Sequence, residues 1–470
     1  VNNVTVIYGA PGCGKTTRLM QILEEELAKH EANEVAFVSF TRKGSYEGAE
    51  RAKARFGYRD TDLPYFRTLH SIAFREGKFS KYDMISKQDY REFSSAMGMK
   101  FTGYYTEDFF SNDDRYLFMH FLKRNNAAMA ETYAYNINAR KLFDVESNFA
   151  RFKVHAKVSD FTDIIEAFIT ANKALPVKVA IIDEAQDLTT LQWKMCEVAF
   201  KDCERVYIAG DDDQAIYEWS GADVKRFLAF DAEAASTEVL SKSYRLQAKV
   251  LSFAKTISTQ IARRIEKDFA SLTDIGNVYF YNQLEEIQII KGQSYYFLSR
   301  NNWFLQKFVA LLKSRAKVFT LKSTLSYEPR HVEAINIYEK VRRAKRSRTP
   351  AEEAKVKLLL KPGITGMEPW YEALSFDNDT AAYYKDLIGK RANLKDESLH
   401  INTIHGVKGG EADNVVLMLD FTKAVRQSME NNPDSELRCL YVACTRAKIN
   451  LHIVHSSSRS GYDSFLRMEA

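Results

Sequence analysis

The segment Gly9-Ala10-Pro11-Gly12-Cys13-Gly14-Lys15-Thr16 constrains this chain more than any other. An apolar, β-branched run from Val4 to Tyr8 precedes it and reads as a buried strand. Leu19, Ile22, Leu23 and Leu27 follow at helical spacing. A glycine-rich turn between strand and helix, closed by Lys-Thr, is the setting in which a phosphate-binding loop forms. Gly12 and Gly14 let backbone N–H groups converge on phosphate oxygens at the positive end of a helix. Lys15 brings a cation to the β and γ phosphates, and the Thr16 hydroxyl can ligate Mg²⁺. The segment implies a nucleoside triphosphate site. Cys13 lies among N–H donors beside Lys15, which favours a thiolate; a small residue that fits the turn is the simpler reading.

At 470 residues the chain exceeds a single core and suggests three or four compact units. No apolar stretch approaches the roughly 20 residues a bilayer span requires, so no membrane partner is expected. The five cysteines include no C-x-x-C pair, so neither a zinc nor a disulfide framework is indicated, and a reducing cytoplasm fits. A net charge of +5 is too mild to argue for nucleic acid by itself; any basic surface must be local.

Strand-like runs at Val35–Phe40, Val177–Asp183, Arg205–Ala209, Tyr295–Ser299, Leu399–Thr403, Val415–Leu419 and Ile449–Val454 alternate with helical stretches such as Leu191–Phe200 and Trp303–Leu312. That alternation implies an α/β fold with parallel sheets covered on both faces. It lapses over 74–150 and 323–396, where the pattern is mainly helical, and both segments read as insertions into two α/β cores. The aromatic cluster Phe101, Tyr104, Tyr105, Phe109 and Phe110 reads as the core of the first insertion. Lys340 to Arg348 carries six positive charges and no acid, as either a solvated face or a duplex or partner contact.

The strand Val179 to Ile182 ends in Asp183-Glu184, followed by Ala185-Gln186-Asp187. Asp183 would hold the Mg²⁺ shell, and Glu184 could polarise an attacking water as general base. Further on, Asp211, Asp212, Asp213 and Gln214 follow a strand and suit a γ-phosphate and metal sensor. Tyr217 and Trp219, close behind, offer faces on which bases can stack.

These segments resemble motifs II and III of the UvrD/Rep/PcrA helicases of superfamily 1A. Others follow in that family's order and cover nearly the whole chain. Phe37-Val38-Ser39-Phe40-Thr41-Arg42-Lys43 resembles motif Ia, and Thr68-Leu69-His70-Ser71 the next single-strand contact. Ser243-Tyr244-Arg245 is similar to motif IV. Phe297-Leu298-Ser299-Arg300-Asn301-Asn302 resembles the strand that opens the second half of the second motor domain. Thr403-Ile404-His405-Gly406-Val407-Lys408-Gly409-Gly410-Glu411 resembles motif V, and Leu440 to Ala447 motif VI.

The resemblance implies two RecA-like motor domains: 1A at 1–73 and 151–225, and 2A at 226–322 and 397–470. Helical insertions 1B at 74–150 and a reduced 2B at 323–396 interrupt them. It implies ATP and Mg²⁺ in a cleft between the motors. Gly12, Cys13, Gly14, Lys15, Thr16 and Thr17 would cradle the phosphates, with Thr16 and Asp183 on the metal. Tyr244 would stack on adenine, Arg245 reach the γ-phosphate, Glu411 contact the ribose and Arg446 act as arginine finger. Lys15, Asp183, Glu184, Gln214, Arg245 and Arg446 would form the catalytic set. Phe40, Thr41, Thr68, His70, Tyr217, Trp219, Arg300, Thr403 and His405 would bind single-stranded DNA.

The implied activity is a DNA-stimulated ATPase that moves 3′→5′ on single strands and unwinds duplex, in replication, repair or recombination. The alternative is a translocase that strips proteins and unwinds poorly without a partner. A purely ATP-gated binding module conflicts with the full set of catalytic residues. Expected partners are single-stranded DNA and its junctions with duplex, met by a monomer. The expected location is the bacterial cytoplasm or nucleoid, or an infected host cell if the source is viral.

Three positions depart from the family pattern. No glutamine motif stands before Gly9, Thr17 replaces an arginine that reappears as Arg18, and Gly410 replaces a leucine. The stretch after motif VI leaves little room for a strand-separating hairpin. Adenine recognition should therefore rest mainly on Tyr244.

Overall fold

A computed structural model describes residues 3–104, 112–133, 137–271, 273–457 and 461–464. The chain divides into two units, Val1–Ile275 with Ser428–Thr445, and Gly276–Gln427 with Arg446–Ala470.

The first unit is built on a six-stranded parallel sheet: β1 (Val4–Gly9), β2 (Val35–Ser39), β3 (Phe66–Arg67), β4 (Val179–Asp183), β5 (Arg205–Gly210) and β6 (Ser236–Leu240), in the order β3-β2-β4-β5-β1-β6. Alternate residues serve opposite faces, as the two-residue strand period requires. Val6, Val38, Ile182 and Ile208 join one core with Ile72 and Ile165, while Ile7, Phe37, Ile181 and Ala209 join another with Leu19 and Leu23. Helices on both faces explain why the strands read as continuous apolar runs. A short parallel pair, β7 (Lys242–Ser243) and β8 (Ala270–Ser271), lies outside the sheet.

The helices Lys87–Met97, Asp114–Asn125 and Ala139–Ala156 surround a separate aromatic core, in which Phe93 meets Phe101 and Phe149 at 5.1 Å each. Phe101 is buried there and Tyr104 is exposed. Tyr105, Phe109 and Phe110 fall outside the described residues.

The second unit carries seven strands: β9 (Val278–Tyr281), β10 (Tyr295–Ser299), β11 (Thr320–Leu321), β12 (Thr324–Leu325), β13 (Leu399–Thr403), β14 (Ala412–Met418) and β15 (Ala447–Val454). Their order is β12-β11-β13-β10-β14-β15-β9, and among the described residues only the β11–β12 hairpin of this sheet is antiparallel. The helices Pro329–Ala344 and Asn378–Gly389 share one core with this sheet, through Val332, Ile335, Tyr338 and Tyr383 beside Phe297, Ile401 and Val416. The helical segment of the second unit thus extends the sheet's core, whereas that of the first has its own.

Residues 226–275 and 428–445, assigned above to the second motor by their motifs, group with the first sheet. The physical ties are β6 pairing with β1, and Asp434 accepting the backbone N–H groups of Ala262 and Arg263 at 2.8 and 3.0 Å. Among the described residues no helix is long and apolar enough to cross a membrane.

Candidate functional site

β1 delivers the chain at Gly9 into the phosphate loop, where Gly12 and Gly14 adopt φ of 73° and 80°. The helix Lys15–Leu27 starts at Gly14 with no side chain capping it, so no capping oxygen competes for its first-turn N–H groups. The Lys15 ammonium donates to the Gly9 carbonyl at 2.5 Å and so crosses the loop's mouth. A Cβ at Gly12 would lie 2.4 Å from Cβ of Arg245, so glycine is required by close approach as well as by φ.

That approach brings the motif-IV residues to the loop within one unit. Tyr244 N–H donates to the Gly12 carbonyl at 2.9 Å, and the Ser243 hydroxyl donates to the Pro11 carbonyl at 2.9 Å. The Tyr244 ring, 71% exposed, is left open for stacking. Burial pushes the Cys13 thiol up to about 11, despite Lys15, so the residue is a turn-fitting thiol and not a thiolate. Thr16 and Thr17 occupy the helix's first turn, and Arg18 is engaged by Glu238 on β6 at 3.0 Å.

Asp183 is the last residue of β4, and its carboxylate accepts the Glu184 N–H at 2.9 Å. Glu184 has φ 53°, a left-handed conformation that costs a non-glycine residue about 1–3 kcal/mol and aims its side chain off the strand end. Burial pushes the Asp183 carboxyl up to about 7; the like charge of Glu184 adds to this and Lys15 opposes it. A hydroxyl and a carboxylate are hard oxygen donors that suit Mg²⁺, and a divalent cation would supply the positive charge this acid pair lacks. Thr16 and Asp183 therefore fit the metal.

The segment 210–219 departs from expectation. Asp212 and Asp213 are not open to a phosphate or metal. Lys267, fully buried, pairs with Asp211 at 3.3 Å, with Asp212, and with Asp213 at 3.1 Å. Arg264 grips Asp213 with two hydrogen bonds of 3.0 and 2.8 Å, and the Ile265 N–H donates to Asp212 at 2.9 Å. Burial works against the Lys267 charge, but the three aspartates hold its pKa above the usual range. Gln214 donates to Asp211 at 2.7 Å. Gln186 links this segment to the acid pair, donating to Glu184 at 2.5 Å and accepting the Asp211 N–H at 3.0 Å. Arg438, on the helix Pro433–Cys444, donates to the Asp212 and Arg263 carbonyls at 2.9 and 2.6 Å and pairs with Glu218 at 3.4 Å.

Sequence reasoning missed Gln186, Arg264, Lys267 and Arg438. Gln186 stands two residues after Glu184, and its position next to the acid pair was a usable signal. The partners of the three aspartates are more than 50 residues away and left none.

The strand-binding candidates of the first unit gather beyond the ends of β2, β3 and β5. Phe40 and Tyr217 pack ring to ring at 5.6 Å. Trp219 is half-buried and lies 6.0 Å from Phe118 of the helical insertion. Thr41 and Thr68 cap the helices Arg42–Phe56 and Leu69–Glu76, accepting from Gly44 and Ser71 N–H. His70 meets Phe161 edge-on at 5.7 Å, and burial lowers its pKa to about 4, so the imidazole is neutral. Phe40, Thr68 and His70 line one cleft of about 860 Å³, together with Arg42, Tyr46 and Arg67.

In the second unit Arg300 follows β10 and Thr403 ends β13, with Ser299 and Thr403 in register. His405 opens the next turn, whose Gly406 N–H donates to the Thr403 hydroxyl at 3.3 Å. Glu411 and Arg446 precede β14 and β15 and so lie at the opposite end of this parallel sheet. Arg446 donates to the Gly410 carbonyl at 3.2 Å. A Cβ at Gly410 would come within 2.5 Å of the Tyr296 hydroxyl, which explains glycine where the family has leucine.

Comparison with known proteins gives two family matches in chain order. Residues 1–235 match the UvrD/REP helicase N-terminal domain, and residues 398–454 the UvrD-like helicase C-terminal domain. A probable DNA helicase of Mycoplasma pneumoniae is 27% identical over 305 residues, 57% of this chain and 55% of that protein. The ATP-dependent DNA helicase PcrA of Bacillus subtilis is 24% identical over 197 residues, 39% and 27% of the two chains. DNA helicase II of Escherichia coli is 30% identical over 116 residues, 23% and 16%. The matches span about half the length of these relatives or less. With the N-terminal domain covering half its residues and the C-terminal domain following in order, the chain belongs to the UvrD/REP helicase family.

Proposed function

We propose that the chain is an ATP-dependent DNA helicase that moves 3′→5′ along single-stranded DNA and unwinds duplex, in replication, repair or recombination. The observation that carries this reading is the continuity of 211–217. Gln214, hydrogen-bonded to Asp211, and Tyr217, packed on Phe40, lie on one short segment that Gln186 ties to Glu184. A change at the phosphates in this reading reaches the base-stacking rings along the short segment from Asp211 to Tyr217.

In this reading the loop N–H groups and Lys15 hold the triphosphate, and Tyr244 stacks on the base. Thr16 and Asp183 would hold Mg²⁺, which when bound would supply charge neutralisation at the phosphates. Glu184 takes a proton from the water that attacks the γ-phosphorus as the bond to the β-phosphate oxygen breaks. Arg245 and Arg446 are assigned to charge developing on the phosphates, and Glu411 to the ribose. The division into 1A, 1B, 2A and 2B, a monomeric state, a preference for junctions, a cytoplasmic location and the 3′→5′ direction belong to the same proposal and rest on family resemblance.

One observation favours the second reading, a translocase that displaces proteins and unwinds poorly alone. Four arginines of the basic run 340–348 are already paired: Arg342 and Arg343 with Glu339, Arg346 with Glu352, and Arg348 with Glu353. A duplex phosphate would have to displace those acids.

ATP turnover measured with and without oligodeoxythymidylate tests the proposal. Stimulation by the oligonucleotide, abolished by Lys15→Ala, is expected; turnover indifferent to DNA would overturn it.

A further inference from the structure

The Trp303 side chain is 80% exposed. The chain has four tryptophans, all within the described residues, and the other three have ring neighbours. Trp193 packs on Phe230 at 5.2 Å, Trp370 on Tyr371 and Phe376 at 5.8 and 6.1 Å, and Trp219 on Phe118 at 6.0 Å. Folding therefore gives Trp303 no packing role to match its size.

Its location is specific. β10 ends at Ser299, and Trp303 sits in the turn Asn302–Phe304 that leads into the helix Leu305–Ser314. Ser299 is in register with Thr403 on the neighbouring β13. Trp303 thus stands at the carboxyl end of the second sheet, beside Arg300 and near Thr403 and His405. Parallel α/β sheets place ligands at that end. Lys307, one helical turn further on, adds a cation that is half-exposed.

We propose that Trp303 is a base-stacking platform for single-stranded DNA in the second unit, the counterpart of Phe40 and Tyr217 in the first. The proposal rests on the strand-motor reading above. A motor of two units needs a hold on the strand in each, and the hold must accept any base. A solvent-facing indole meets both needs: every base has a π-face to stack on it, and tryptophan loses little side-chain freedom in doing so.

Binding of oligodeoxythymidylate to the full chain tests this, by anisotropy of the labelled strand and by tryptophan fluorescence, in a Trp219→Phe background. Trp303→Ala should weaken binding about 5- to 150-fold, the span of one lost base stack. It should also remove most of the quenching while leaving the slope of log K against log salt unchanged, because no phosphate contact is lost. Trp303→Phe should recover most of the affinity, and the melting temperature of both variants should match the parent. Affinity within about twofold of the parent in Trp303→Ala, or a flattened salt slope, overturns the proposal. If the parent fails to bind the oligonucleotide at all, the strand-motor reading falls, and this assignment with it.

Discussion

Gln186 donates its side-chain amide to the Glu184 carboxylate at 2.5 Å while accepting the backbone N–H of Asp211 at 3.0 Å. One amide thus spans the acid pair after β4 and the segment after β5. Replacing Gln186 with methionine keeps its bulk and removes both hydrogen bonds. We expect kcat for ATP to fall by about tenfold or more, with little change in KM, since the interaction orients a base and does not hold nucleotide. Steady-state turnover at saturating oligodeoxythymidylate checks this; an unaltered kcat would remove Gln186 from the mechanism.

Glu184→Gln should retain ATP binding and hydrolyse at least about a hundredfold more slowly, the usual effect of losing a positioned general base. Single-turnover kinetics with equilibrium nucleotide binding separates the two quantities. Normal turnover in this variant would sink the assignment of the base.

Lys267 pairs with three aspartates inside the first unit, and Arg264 adds a second cation at Asp213. Lys267→Met leaves those carboxylates buried with less compensating charge, and should cost about 3–5 kcal/mol of stability in urea unfolding. Adding Asp212→Asn should restore part of the loss, because one of the stranded charges is then gone. A single variant within about 0.5 kcal/mol of wild type would show that the cluster contributes little.

His452 gives a pH dependence of definite sign. Burial lowers its pKa from 6.5 to about 4, on a ring enclosed by Tyr279 and Tyr281 and hydrogen-bonded to Tyr281 at 3.1 Å. Between those values the unfolded chain binds a proton that the folded chain refuses. The stability contribution is therefore complete above about pH 6.5 and is lost as the pH falls toward about 4. Compared with His452→Gln, wild type should lose about 2 kcal/mol between about pH 7.5 and about pH 5. Parallel unfolding curves for the two proteins over that range would mean that His452 does not titrate as its burial requires.

Much of the fold was legible because buried parallel strands are continuous apolar runs. Tyr295–Ser299 and Leu399–Thr403 coincide with β10 and β13, and Val35–Phe40 misses β2 by one residue. The strands without that signature were missed. β6 is largely exposed and reads Ser-Thr-Glu-Val-Leu, and β9 lies at the sheet edge with two exposed aromatic residues. The local motifs are contiguous in the same way: Gly12 and Lys15 follow directly on β1, and Asp183 and Glu184 stand at the end of β4, so their placement needs no distant partner. The three aspartates after β5 were misread as sensors because their cations, Arg264 and Lys267, reach them only through tertiary packing. The basic run was misleading in the opposite sense, since Glu352 and Glu353, which neutralise Arg346 and Arg348, lie just beyond it.

Strand displacement on duplexes with a 3′ or a 5′ single-stranded tail, with ATP turnover followed in the same reactions, decides whether the chain is a 3′→5′ motor driven by ATP. Turnover stimulated by the tails and displacement only from 3′-tailed substrates is the predicted result. Displacement confined to 5′ tails, or turnover that ignores single-stranded DNA altogether, would contradict it.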